Sequence, residues 1–214
     1  MEQNYNKAVE WYSKAAEQGY DVAQFELGYS YHYGEGVEQD YKKAVEWYSR
    51  AAEQSNVSAQ LFLGFCYDNG IGVERDYIKA AEWFTKAAEK DLDQAQFHLG
   101  YYYYVGLGVE QDYTKAVEWF SKSAEQGFAD AQYFIGLCYE DGSGVEPDYE
   151  KAVEWFSKSA EQGYVDAQFQ LGQCYETGLG VNQDYTKAVM WYSKAAMQGH
   201  EESKQKLIDY IQKT

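Results

Sequence analysis

The segment Asp112-Tyr-Thr-Lys-Ala-Val-Glu-Trp-Phe-Ser-Lys-Ser-Ala-Glu-Gln-Gly127 recurs almost unchanged six times, opening at Asn4, Asp40, Asp76, Asp112, Asp148 and Asp184. Every step is 36 residues, with no insertion or deletion. A fixed period of this size marks a solenoid, whose units bury their apolar faces against neighbours rather than around one central core. The period therefore predicts an all-α solenoid of helix-turn-helix repeats forming one domain over 1–214. Its repeats are 4–39, 40–75, 76–111, 112–147, 148–183 and 184–214, the last acting as a C-terminal cap.

Each repeat has two helical halves. In the second, Asp40 is placed to cap a helix by accepting free backbone N–H groups. Tyr41, Ala44, Val45, Tyr48, Ala51 and Ala52 then follow at spacings of three and four and form one apolar face. Glu46 precedes Arg50 by four residues, the favourable order for a helix ion pair, and Glu10–Lys14, Glu82–Lys86, Glu118–Lys122 and Glu154–Lys158 repeat it. Glycine closes this helix at Gly19, Gly127, Gly163 and Gly199, with Ser55 and Asp91 substituting elsewhere. The other half, from about Leu92 to Tyr104 in the third repeat, carries Ala95, Leu99 and Tyr103 on one face. It also holds a mid-helix glycine at Gly28, Gly64, Gly100, Gly136 and Gly172, a position that costs about 1 kcal/mol against alanine. Close approach of a neighbouring helix is the expected compensation, and Ile208 occupies this position in the last repeat. There Leu207, Ile208 and Ile211 predict a cap with its apolar stripe inward.

Gly-x-Gly-Val joins the repeats at Gly34–Val37, Gly70–Val73, Gly106–Val109, Gly142–Val145 and Gly178–Val181. It lacks both the Lys-Ser/Thr ending of a phosphate-binding loop and the third glycine of a dinucleotide loop, so it reads as a turn. His32, His98 and His200 fall at non-equivalent places, and neither a His-x-x-x-His pair nor a cysteine cluster matches a metal site. The sequence thus predicts no catalytic residue, metal or cofactor. A net charge of -17 argues against nucleic acid and against an anionic membrane surface. Cys66, Cys138 and Cys174 share one repeat position and have no partner within a repeat, so they read as reduced, small apolar residues. No stretch is long and apolar enough to span a membrane, and Met1-Glu-Gln-Asn is no signal peptide. These features favour a cytoplasmic setting, while a first helix that begins without a cap fits a chain cut from a longer protein.

The ordered motifs Lys-Ala-x-x-Trp-Tyr/Phe-x-Lys-x-Ala-Glu-x-Gly, Ala-Gln-x-x-Leu-Gly-x-x-Tyr and Gly-x-Gly-Val resemble the Sel1-like repeat, a relative of the tetratricopeptide repeat. The resemblance runs from Asn4 to Gly199. It implies a right-handed superhelix of antiparallel helix pairs and a non-enzymatic adaptor role in signalling, secretion, protein quality control or host–pathogen contact. Some secreted bacterial members with a cysteine pair in each repeat are linked to β-lactam binding, and this chain lacks those pairs.

Comparing the repeats with one another locates a candidate surface. The tryptophan helix hardly varies, and Trp11, Trp47, Trp83, Trp119, Trp155 and Trp191 read as a packing ladder with cation–π contact from nearby lysines. The Leu-Gly helix varies on one face, at Tyr29, Phe65, Tyr101, Leu137 and Gln173, at His32, Asp68, Tyr104, Glu140 and Glu176, and at Tyr33, Asn69, Val105, Asp141 and Thr177. In the tetratricopeptide relatives the matching positions line a concave groove. Aromatic towards the N-terminus and acidic towards the C-terminus, this groove would suit a protein or peptide with apolar anchors and a basic end. The chain is then a monomeric interaction scaffold. The alternative is a self-assembling spacer array, recently duplicated or consensus-designed, with no dedicated ligand.

Overall fold

The computed structural model describes residues 5–213, so the expected opening residue Asn4 lies outside the described part, as does Thr214. The described residues form twelve helices and no strand. The tryptophan helices are α1 (Tyr5–Glu17), α3 (Tyr41–Glu53), α5 (Tyr77–Ala88), α7 (Tyr113–Glu125), α9 (Tyr149–Glu161) and α11 (Tyr185–Met197). They alternate with α2 (Asp21–Tyr33), α4 (Val57–Asn69), α6 (Asp93–Val105), α8 (Ala129–Asp141), α10 (Val165–Thr177) and α12 (Glu201–Lys213). The helices gather into two compact units, one ending at Gln111 and one starting at Asp112. In the first, α2 packs on α3 and α4 on α5; in the second, α8 packs on α9 and α10 on α11.

Helix ends follow from local chemistry. The Asp40 carboxylate accepts the Lys43 N–H at 3.1 Å, and Asp76, Asp112, Asp148 and Asp184 cap α5, α7, α9 and α11 likewise. At the other end of α1, Gly19 takes a left-handed φ of 94°, which lets the Tyr20 N–H return to the Ala15 carbonyl and the Gly19 N–H to Ala16. Ser55 and Asp91 hold the same left-handed geometry, with φ of 69° and 60°, as the alignment of repeats predicts.

The core of each unit is built by knobs on the tryptophan helices entering notches on the Leu-Gly helices. Ala44, Val45, Tyr48, Ala51 and Ala52 are buried as predicted, whereas Tyr41 at the helix start is exposed. Tyr48 lies so close to Gly28 that a Cβ there would sit 2.7 Å from the ring, and Gly136 and Gly172 receive Phe156 and Tyr192 in the same way. The second glycine of each connection serves a different approach: a Cβ on Gly36 would collide with the backbone of Tyr5 at the start of α1.

Among the described residues the expected Glu–Lys and Glu–Arg pairs four apart do not form. The cations turn to tryptophan instead, with Arg50 4.4 Å from the Trp47 ring centre, Lys86 3.8 Å from Trp83 and Lys158 3.9 Å from Trp155. Capping aspartates provide the short-range ion pairs, as between Lys43 and Asp40 at 3.5 Å. In α12 the apolar stripe is split: Ser203 is buried, but Ile208 is 46% and Ile211 76% exposed. Ile208 occupies the notch position, which faces the side where the next tryptophan helix packs inside each unit, so it cannot point inward as the sequence suggested.

Two outcomes follow from these contacts. Gly136→Ala gains about 1 kcal/mol of helix propensity, yet it must place a methyl 2.5 Å from the fully buried Phe156 ring. Urea denaturation should therefore show net destabilisation, by about 1–3 kcal/mol; a stabilised variant would show that the notch is not tight. The capping carboxyls of Asp40, Asp76, Asp112 and Asp148 are held below the usual carboxylate range, chiefly by the backbone N–H they accept. A depressed folded pKa gives stability that is present above the unfolded value near 3.9 and is lost as pH falls through the folded one. The melting temperature should fall more steeply below about pH 4 than in a variant with serine at all four caps, which cannot titrate.

Candidate functional site

The repeat-variable residues all lie on the Leu-Gly helices, and because they are spaced i, i+3 and i+4 each helix presents its set on one face. Tyr29, His32, Phe65, Asp68, Tyr101, Tyr104, Leu137, Glu140, Gln173 and Glu176 are half-buried, while Tyr33, Asn69, Val105, Asp141 and Thr177 are exposed. None of them belongs to the fully buried core.

In the first unit these side chains meet as a run of rings. Tyr29 and Tyr33 lie 4.4 Å apart, Tyr29 reaches Phe62 at 5.9 Å, and Phe62 reaches Phe65 at 6.4 Å. Phe65 then meets His98 at 4.8 Å, edge to face, and Phe97 lies 6.4 Å from Tyr101. His32 joins the run 4.6 Å from Tyr33 and 6.2 Å from Phe62. Burial pushes His98 down to about 4, against the opposing charge of Asp68, so at neutral pH it is an uncharged ring stacked 5.2 Å from Phe84. Phe62 and His98 are members that sequence reasoning missed. Their repeat position, occupied by Glu26, Phe62, His98, Phe134 and Gln170, varies as much as the selected ones and lies one helical turn before them.

The predicted acidic portion is differently placed. Asp68 accepts from the Tyr102 hydroxyl at 2.5 Å, and Glu140 accepts from Gln170 at 2.8 Å. Glu176 accepts from Tyr192 at 2.6 Å and from Lys206 at 2.7 Å. Each bond to Tyr102, Gln170 and Lys206 ties one Leu-Gly helix to the next. Burial raises the Glu140 carboxyl; burial also acts on Glu176, but its bonds to Lys206 and Tyr192 hold it below the usual range. Asp141 alone of the four stands exposed without such a bond.

The tryptophan helices offer less to a ligand. Trp47, Trp83, Trp119 and Trp155 are half-buried, Trp191 is buried and Trp11 is 69% exposed. Trp47 packs on the core of the preceding helix pair, against Val9, Ala16, Ala23 and Leu27. Cys66, Cys138 and Cys174 are buried free thiols, pushed up to about 12 by burial, and so are poor nucleophiles. Among the described residues no group of three His, Cys, Asp or Glu side chains is arranged to hold a metal ion, and no helix is long and apolar enough to cross a membrane.

The Ala-Gln motif proves to be a structural ladder whose role the sequence did not reveal. Gln24, Gln60, Gln96, Gln132 and Gln168 are buried, and each amide donates to the carbonyl eight residues earlier, as from Gln132 to Ala124 at 3.1 Å. A second glutamine one repeat on completes the rung. Gln54 donates to the Gln24 Oε1 at 2.8 Å, Gln162 to Gln132 at 2.8 Å and Gln198 to Gln168 at 2.9 Å.

The repeat and its fold are found in known proteins. A Sel1 repeat model matches residues 1–20, 21–56, 57–92, 93–128, 129–164 and 165–200. Its repeat keeps the 36-residue period but starts at the Leu-Gly helix, so the notch and its knob fall in one unit, as with Gly28 and Tyr48 in 21–56. No curated protein matches the chain in sequence. Among solved structures, a protective antigen of uropathogenic Escherichia coli strains displaying an SLR fold is 43% identical with a TM-score of 0.91, over 96% of this chain. The present chain spans 44% of that protein's length. A Sel1 repeat protein from Oxalobacter formigenes is 32% identical with a TM-score of 0.84, over 96% of this chain and 87% of its own. An immunity protein from Pseudomonas aeruginosa shares the fold at 25% identity and a TM-score of 0.54, over 94% of this chain and 77% of its own. Sel1 repeat proteins generally mediate protein–protein interactions and are typically non-catalytic scaffolds. With six matched repeats and an all-α solenoid fold, this chain belongs to the Sel1 repeat family.

Proposed function

We propose that the chain is a non-enzymatic scaffold that binds a peptide or protein segment along the variable face of its Leu-Gly helices, with the first unit providing the principal contact. The carrying observation is the partly exposed run of rings from Tyr29 and Tyr33 through Phe62 and Phe65 to His98. Such a surface is costly to leave in water, and tyrosines at its edge supply both apolar area and a hydroxyl, the combination enriched in binding hot spots. The preferred ligand is an extended segment with apolar or aromatic anchors. A basic segment bound on the second unit's variable face would have Asp141 as its free counter-charge, because Glu140 and Glu176 already accept hydrogen bonds from this chain.

The test is selection of peptides from a random library by the wild-type chain, followed by calorimetry. Peptides rich in apolar anchors should emerge. A Tyr33→Ala/Tyr104→Ala variant, shown folded by circular dichroism, should bind them roughly 30-fold more weakly, about 2 kcal/mol. Asp141→Asn should matter only for peptides with a basic end. Equal binding by the double variant would remove the groove reading, and concentration-dependent self-association without any peptide ligand would favour the spacer array.

A further inference from the structure

The glutamine ladder is interrupted at one rung. Five of the six repeats carry glutamine at its outer position, Gln18, Gln54, Gln126, Gln162 and Gln198, and the third carries Lys90. Gln162 shows what the outer residue does: its amide donates to the Gln132 Oε1 at 2.8 Å and to the Gly127 carbonyl at 2.8 Å. Gln198 repeats this with Gln168 at 2.9 Å and Gly163 at 3.0 Å. In the interrupted rung the inner residue is Gln60, which is 4% exposed. Its amide still donates to the Ala52 carbonyl at 3.3 Å, but its Oε1 is buried and has no hydrogen-bond partner. Lys90 is exposed and makes no bond to it. The turn bond is kept, since the Lys90 N–H returns to Ala87 as the Gln54 N–H returns to Ala51, both at 3.1 Å.

This rung borders a cavity of about 400 Å³ whose walls include Gln60, Ser55, Trp83 and Lys90. Its rim carries two acids, Glu53 and Glu89, against two bases, Lys86 and Lys90. A balanced rim gives no net preference for a cation or an anion. The unpaired atom beside it is the buried Gln60 amide oxygen, which accepts N–H and repels a carboxylate. By equivalence with Gly127 and Gly163, the Ser55 carbonyl is the second acceptor. An NH2 group that reaches both therefore completes the rung, and in two other repeats, at Gln162 and Gln198, that group is a primary carboxamide.

We infer that the cavity bounded by Gln60, Ser55 and Trp83 is a binding site for a primary carboxamide, as carried by a glutamine side chain of a partner. The ligand's NH2 group donates to Gln60 Oε1 and to the Ser55 carbonyl, and its apolar stem lies against the edge of the Trp83 indole, whose face Lys86 covers. The site is separate from the variable face of the Leu-Gly helices and does not depend on a ligand there.

The test is an NMR titration of the ¹⁵N-labelled full chain with N-acetyl-glutamine N-methylamide, its glutamate counterpart and acetamide. The glutamine compound should shift the Gln60 side-chain NH2 and the Trp83 indole N–H resonances saturably, on the order of millimolar, and the glutamate compound should not. Tighter binding of the glutamine compound than of acetamide assigns a peptide source, and equal binding assigns a free small amide. Lys90→Gln supplies the missing amide from within the chain, so it should abolish both shifts and raise the melting temperature by about 2–4 °C. A Tyr33→Ala/Tyr104→Ala variant should titrate like the wild type, which separates this site from the peptide groove. The inference is overturned if the glutamine compound gives no saturable shift, if the glutamate compound binds as well, or if Lys90→Gln leaves the shifts in place.

Discussion

The close approach of tryptophan helix to Leu-Gly helix is the constraint on which the rest depends. A ring can lie against the backbone only where no Cβ intervenes, so the pairs Gly28–Tyr48, Gly136–Phe156 and Gly172–Tyr192 set both helix separation and register. Once that register is set, Gln54, Gln162 and Gln198 come within hydrogen-bond distance of the inner glutamines Gln24, Gln132 and Gln168. Glycine at this position is a poor helix former by itself. Its cost is offset by burying a whole aromatic side chain, worth roughly 1.5–3 kcal/mol.

Fixing one face of each Leu-Gly helix for packing leaves the opposite face free to vary. In the first unit that face is aromatic, and its rings support one another across α2, α4 and α6. In the second unit the equivalent positions are more polar, and two of their acids, Glu140 and Glu176, are used internally. Glu140 and Glu176 each reach the next Leu-Gly helix, so residues that look like ligand contacts in a linear comparison also brace the array. A variable position is thus not necessarily a free one.

Charge placement follows a similar logic. The cations that a single-helix view assigns to glutamate four residues earlier lie over tryptophan three residues earlier instead. An exposed helix ion pair is worth only a few tenths of a kcal/mol. A cation over an indole gains about as much or more while its alkyl stem covers apolar surface.

By itself the sequence determined the period, the two helices per repeat, their aspartate caps, the glycines that end them and the helix face that varies. All of these are properties of a residue relative to its own helix or its own turn, and the repeat displays them several times over. What only the tertiary structure decided is which residues of neighbouring repeats meet: Asp68 with Tyr102, Gln162 with Gln132, Tyr48 with Gly28, and the Gln60 side-chain oxygen with no partner. Those meetings depend on the offset between stacked helices, which is set by steric contact and not by spacing along the chain. For the same reason the splitting of the α12 stripe was not legible, since periodicity identifies an apolar face but cannot say whether another helix lies against it.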